Sequence, residues 1–297
     1  MIANNALKAS ANRRGILLMI ASMACFTLAD LFLKFSSESV TTGQITLALG
    51  VGGTLVFWIL LLRKGEAVFS SVFWEAPVML RTTGELMATL FIILALTYAS
   101  FTAVAVILQT LPLLLTLCSF LFLKERVGIH RLSAILLGFG GMLLIVRPGS
   151  AGFDASSLLA ILAVIGMTMR DFGSRLVGSH ISNERLAIFG TLGQIILGIG
   201  LMAFEENHSM PSAEVTLYLV GMVVFASLAI LLVTQAMRTG EISAISPFRY
   251  SRLFFGLLVG VFILGETVDQ VMIMGSAIII LSGLYLWLRE RKITQNN

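Results

Sequence analysis

Ten apolar runs, most of them near twenty residues long, follow one another along this chain with short polar links between them. A helix needs about 20 apolar residues to cross a bilayer core. No water is available there, so each backbone N–H and C=O must find its partner inside the structure, and such runs cross as helices. The runs fall near residues 15–35, 42–62, 77–98, 102–123, 132–146, 156–176, 184–204, 215–237, 243–264 and 271–288. Charged residues fill 12% of the 297 positions, about half the roughly 25% of a soluble domain. The expected fold class is an all-α integral membrane protein with ten transmembrane helices, and no soluble domain of useful size remains.

Lys and Arg set the expected orientation, because cytoplasmic links carry their excess. On one side lie Lys8, Arg13 and Arg14; Arg63 and Lys64; Lys124, Arg126 and Arg131; Arg175 and Arg185; Arg238; and Arg289, Arg291 and Lys292. The other side has Arg147 in a link and Lys34 at a run's end. Both termini are therefore expected in the cytoplasm, with the chain in the cell (inner) membrane. The net charge of +4 sits beside spans, so it carries no nucleic-acid signal. The start resembles a signal peptide, with Ser22 and Ala24 as small residues before Cys25. The apolar run continues to Phe35 and nine more follow, so an uncleaved first helix is expected. Cys25 and Cys118 fall inside runs and read as small buried hydrophobes, neither a disulfide nor a metal pair.

The two halves repeat. Asp30 and Lys34 match Asp171 and Arg175, and Glu125 matches Glu266, in one register of 141 positions (171 − 30 and 266 − 125). Five runs per half is an odd number, so the halves insert in opposite directions. The expectation is two inverted five-helix repeats, residues 1–149 and 150–297.

Several charges lie inside the runs. An arginine at the bilayer centre costs roughly 2.5–3.5 kcal/mol on insertion scales, so such groups usually face a bundle interior or a wet cavity. In the ninth run Arg249, Arg252, Gly256 and Gly260 recur at helical spacing and share one expected face. They read either as snorkelling arginines beside a glycine packing seam or as a polar path. Arg81 and Glu85 stand one turn apart in the third run, with Glu85 about 12 Å deep. They read as a neutralised pair, or as a site where Glu85 holds a coupling proton or a cationic group. Their counterparts in the repeat are Met222 and Ala226, so symmetry does not require them. Asp30 with Lys34, and Asp171 with Arg175 and the adjacent Arg170, read as local ion pairs or as gates at opposite faces. In the fourth run Gln109, Pro112, Thr116 and Ser119 share a face that is either packing or cavity wall. Tyr98, Gln194, Gln235 and Tyr250 are further lining candidates.

In the first half, Leu111-Pro112-Leu113, Leu123-Lys124-Glu125-Arg126, Gly138-Phe139-Gly140-Gly141 and Val146-Arg147-Pro148-Gly149 follow one another. The second half has Pro247-Phe248-Arg249-Tyr250, Leu264-Gly265-Glu266 and Ser282-Gly283. As a set these resemble the EamA family of the drug/metabolite transporter superfamily over nearly the whole chain. The resemblance implies ten helices around a central cavity, and movement of amino acids or related metabolites without ATP hydrolysis. It leaves S-adenosylmethionine or nucleoside-like carriers as an alternative. Where many relatives carry an arginine in the second span, this chain has Leu49, beside Gly50, Gly52 and Gly53.

The expected function is a secondary transporter of a small polar metabolite, not an enzyme. Arg81, Glu85, Gln109, Arg249, Tyr250 and Arg252 are the candidate substrate contacts. Asp30, Lys34, Arg170, Asp171 and Arg175 are the candidate gate or coupling groups. No cofactor and no metal is expected: there is no phosphate loop, and His130, His180 and His208 have no ligand spacing. Expected partners are the metabolite and the bilayer, with protons and a second copy of the chain left open. A channel is the competing class; it would want a ring of like polar groups.

Overall fold

The computed structural model describes residues 2–66, 71–123, 129–147, 155–178, 181–206, 210–239 and 246–295. Among them the chain forms helices and turns, without a strand. The α-helices are α1 (Ile2–Ser36), α2 (Thr42–Lys64), α3 (Ala76–Tyr98), α4 (Phe101–Ile107), α5 (Leu111–Leu123), α6 (Ile129–Val146), α7 (Ser157–Leu176), α8 (Asn183–Met202), α9 (Ala213–Thr239), α10 (Ser251–Leu258) and α11 (Gln270–Gln295). Among the described residues six stretches are long and apolar enough to cross a membrane: Ala11–Ser36, Thr42–Lys64, Ala76–Tyr98, Ser157–Ser174, Asn183–Met202 and Ala213–Val233. Phe101–Leu115, Leu132–Val146 and Gln270–Tyr285 are shorter apolar helices.

Two spans depart from a straight helix. A 3₁₀ turn at Leu108–Thr110 joins α4 to α5. Pro112 follows it: its ring has no N–H to give Leu108 and crowds that carbonyl, so the turn before a proline is where a helix yields. The ninth run was expected as one helix over 243–264. It is instead a 3₁₀ turn at Ser246–Tyr250, then α10, then a π-helical turn at Val259–Ile263. Arg249 sits in the 3₁₀ turn, Arg252 in α10 and Gly260 in the π turn. The single α-helical face that periodicity assigns to them is therefore not formed. Gly260 suits the π turn because Thr102 Oγ1 occupies the place where a Cβ would stand. Gly265, at φ 67°, ends the segment in a conformation that costs glycine nothing. Residues 243–245, Lys124, Glu125, Arg126, Pro148 and Gly149 lie outside the described residues, as do the side chains of Thr116, Ser119, Arg175 and Pro247.

The chain divides into two compact units. One comprises Ala29–Ser100 and Asp154–Ser227. In it α2 packs along α8, and α3 along α7. Lipid tails are as apolar as leucine, so helices in a membrane associate through close packing and hydrogen bonds rather than hydrophobic burial. Glycine supplies the closeness. A Cβ on Gly198 would stand 2.6 Å from the Leu47 nitrogen, and one on Gly50 2.6 Å from the Ile195 nitrogen. One turn beyond Gly50, Thr54 Oγ1 of α2 donates to Thr191 Oγ1 of α8 at 3.0 Å. The glycines of the second span are thus a packing seam.

Carboxylates close both ends of that pair. Glu66, just past α2, accepts from Ser182 Oγ at 2.5 Å and faces Arg185 at 3.5 Å, at the start of α8. Glu205, just past α8, accepts from the Gly43 N–H at 3.0 Å in the first turn of α2. Each places negative charge at a helix N-terminus, where the orphan N–H groups favour it.

The other unit comprises Met1–Leu28, Phe101–Phe153 and Leu228–Asn297. Here α6 packs along α11 and α4 along α10, with Gly141 and Gly275 back to back: a Cβ on Gly141 would lie 2.8 Å from the Gly275 carbonyl. Ser22 Oγ on α1 donates to the Ala229 carbonyl on α9 at 2.7 Å. Glu266 repeats the capping device, accepting from the Phe101 and Thr102 N–H groups at 2.6 and 2.8 Å. Arg147, past α6, pairs with Asp269 before α11.

Candidate functional site

The first unit brings four charged side chains together where α3 crosses α7. Three glycines make the crossing. A Cβ on Gly84 would lie 2.7 Å from the Gly166 carbonyl, one on Gly166 2.5 Å from the Ala88 nitrogen, and one on Gly173 2.7 Å from the Arg81 nitrogen. The two backbones touch, so residues on their flanks meet. Arg81 Nη1 donates to the Leu186 carbonyl of α8 at 2.6 Å. Its Nη2 lies 3.9 Å from Glu85 Oε2. Arg170 Nε lies 3.8 Å from the same Glu85 oxygen and donates to Asp171 Oδ1 at 2.8 Å. Gly190 of α8 lets Glu85 approach this helix closely: a Cβ there would stand 3.0 Å from Glu85 Cγ. A second α8–α3 link is buried nearby, Gln194 Nε2 donating to Thr89 Oγ1 at 2.7 Å.

Glu85 lies about 14 Å along α3 from its start. The side chains of Arg81 and Glu85 are 11% and 15% exposed. At 4 Å and an effective dielectric of 20, one ion pair contributes about 4 kcal/mol of attraction, of the same order as the desolvation cost of several kcal/mol per ion. The cluster is therefore close to neutral in energy as well as in charge. A fold has little to gain from it over apolar residues of similar volume.

The remaining candidates have identifiable neighbours. Lys34 Nζ donates to the Leu96 carbonyl at 2.7 Å, with Ala99 O at 3.4 Å, at the C-terminal end of α3, where a cation complements the helix dipole. Asp30 is half-buried one turn earlier on α1. Asp171 meets Arg170; the side chain of Arg175, its expected partner, lies outside the described residues. In the other unit Gln109 is buried in the 3₁₀ turn, and its Nε2 donates to Ala105 O at 3.3 Å. The Arg252 guanidinium lies 5.0 Å from the Phe26 ring centroid, a cation–π contact. Tyr250 packs its hydroxyl end into the notch left by Gly283. Arg249 is half-buried in its 3₁₀ turn. Tyr98 is exposed. A cleft of about 370 Å³ between α6 and α11 is lined by Ser133, Ala134, Leu137, Ile278, Leu281, Ser282 and Tyr285 and holds none of the charged candidates. Gly190 and the Leu186 carbonyl had no sequence signal: one lacks a side chain, and the other is a backbone atom placed only by packing.

Residues 13–147 match the EamA-like transporter family. The chain is similar to a riboflavin transporter of Vibrio cholerae, 29% identical over 187 residues that cover 63% of this chain and 62% of that protein. It is similar to an S-adenosylmethionine uptake transporter of Rickettsia bellii, 24% identical over 66% of this chain and 67% of the relative. A riboflavin transporter of Brucella anthropi is 28% identical over 65% of this chain and 70% of its own length. A solved crystal structure shares the fold with a TM-score of 0.65 at 19% identity, covering 94% of this chain and 98% of that one.

Proposed function

From the match of residues 13–147 to the EamA-like transporter family, we propose that the chain is a secondary transporter moving a small polar metabolite by alternating access. The cluster of Arg81, Glu85, Arg170 and Asp171 carries the reading. Charges this deep in spanning helices are expensive and are kept where they meet a solute or a coupling ion. The cluster offers both signs, two guanidiniums and two carboxylates, so it suits an amino acid or related zwitterionic or anionic compound. S-adenosylmethionine, named for one set of relatives, has a carboxylate and an ammonium group that fit both signs. Riboflavin, named for the other, carries no ionised group at neutral pH and has less use for the cluster. Glu85 is the group assigned to hold a coupling proton.

The same proposal includes inverted repeats over 1–149 and 150–297. The helix pairing supports it: α2 with α8, α4 with α10 and α6 with α11 join counterparts of the two halves. In the same correspondence of halves, the contact of α3 with α7 is matched by that of α1 with α9. The Lys and Arg distribution supports an inner-membrane location with both termini cytoplasmic.

The test is uptake by the purified full chain in sealed vesicles, offering S-adenosylmethionine, single amino acids and riboflavin, with and without a pH gradient. Saturable uptake of a zwitterion, lost in Arg170→Gln, is expected. Flux that never saturates would mean a channel; absence of all flux would end the transporter reading.

A further inference from the structure

We propose that Glu85 is the built-in occupant of an anion seat formed by Arg81 and Arg170. An oxyanion group of the cargo, carboxylate or phosphate, displaces it, and Glu85 takes up one proton for each anion seated. The inference deepens the transporter reading and rests on it.

Three observations carry it. First, each guanidinium is pinned by something other than Glu85. Arg81 is held by the Leu186 carbonyl at 2.6 Å, and Arg170 by Asp171 at 2.8 Å. Both would keep their places if Glu85 moved. Second, Glu85 itself is loosely held. Its contacts with the two arginines, at 3.9 and 3.8 Å, are ion-pair distances beyond the 2.7–3.2 Å of a hydrogen bond. A guanidinium has five N–H donors in a fork that matches an oxyanion. Among the described residues each of these two uses one in a hydrogen bond. Third, the four charges that the described residues bring together here, two arginines, Glu85 and Asp171, sum to zero. An added anion leaves −1 in a half-buried site, which costs several kcal/mol, unless one carboxylate is protonated. Asp171, hydrogen-bonded to Arg170, is the worse choice; Glu85 is the better one.

Among the described residues Glu85 pairs with Arg81 and Arg170, while the charged residues of α8, Glu184 and Arg185, pair with Lys64 and Glu66. Arg81 faces it from α3, and Arg170, backed by Asp171, from α7. From α8 come Gly190 and the Leu186 carbonyl. The charged residues of α2, Arg63 and Lys64, are confined to its last turn. Glu85 already lies against Gly190, where a Cβ would stand 3.0 Å from its Cγ.

The probe is methanesulfonate, which stays ionised from pH 5 to 8. It is titrated into the detergent-solubilised full chain by calorimetry in buffers of differing ionisation enthalpy. The wild type is expected to take up about one proton per anion, so its affinity falls about tenfold per pH unit on the alkaline side. Glu85→Gln is expected to bind at least tenfold more tightly at pH 7.5, with no proton uptake, and Arg170→Gln to lose binding. A wild-type profile flat with pH, or Glu85→Gln no tighter than wild type, overturns the seat. Should Glu85→Gln fail to fold, the wild-type proton count decides alone. Saturable uptake with a flat titration removes the seat and leaves the transporter. Proton-linked binding without uptake of any metabolite does the reverse.

Discussion

Gly84→Ala adds one methyl group at the crossing of α3 and α7, and its consequences follow from distance. The new Cβ would overlap the Arg170 backbone nitrogen and stand 2.7 Å from the Gly166 carbonyl oxygen and 2.8 Å from Met169 Cβ. Ordinary contact begins at 3.4 Å, so the helices must part by about 1 Å, a gap that forfeits a quarter to a half of each contact's dispersion energy. Overpacking of this kind costs about 1–3 kcal/mol. The same shift takes the Glu85–Arg170 contact from 3.8 Å to about 4.8 Å, and Coulomb attraction falls only by about a fifth. Packing therefore dominates: stability should drop while substrate affinity changes by a few-fold at most. Gly200→Ala is the control, on α8, where nothing lies within 4 Å of the added carbon. There alanine should be neutral or stabilise by up to about 1 kcal/mol, through helix propensity. Thermal unfolding in detergent, followed by intrinsic fluorescence, reads both. Equal melting temperatures for Gly84→Ala and wild type, or a comparable loss in Gly200→Ala, would refute the argument that backbone contact holds this crossing.

Other substitutions probe separate devices. Glu266→Ala removes the acceptor for two N–H groups at the start of α4 and should cost about 1 kcal/mol, seen as faster amide exchange at Phe101 and Thr102. Asp269 lies outside the spans, and the Met272 N–H, then Arg147, hold its carboxyl below the usual carboxylate range. A depressed value means the contribution is present above the unfolded carboxylate range and is lost as pH falls through the folded value. Wild type should thus lose stability below about pH 4 in a way Asp269→Asn does not, as melting curves from pH 3 to 6 would show. Arg252→Ala removes the cation–π contact with Phe26 and should cost roughly 0.5–1 kcal/mol, read by melting temperature, while S-adenosylmethionine still stabilises the protein. Loss of that stabilisation would bring Arg252 into the site.

The glutamates past the helices show where sequence and structure divide the work. That Glu125 and Glu266 correspond is legible at a spacing of 141. That Glu266 caps α4 is not, because a cap across 165 positions depends on which helices are neighbours. Lys34 makes the same point: it stands one turn from Asp30, and the carbonyl it donates to at the end of α3 is 62 positions away. Several partners are in reach of a charge inside a bundle, and sequence spacing names only the local ones.

Composition and the length of the apolar runs were enough to make this an all-helical membrane chain, since a backbone in hydrocarbon has almost no other way to satisfy itself. The order of the helices and the positions of buried charge follow from the same one-dimensional pattern. Tertiary structure alone decided that glycines on α3 and α7 bring two backbones into contact, and so which four charges share one place. It also decided that the ninth span breaks into 3₁₀, α and π turns rather than presenting one face. Hydropathy reports whether a segment prefers lipid; it holds no record of which side chain meets which.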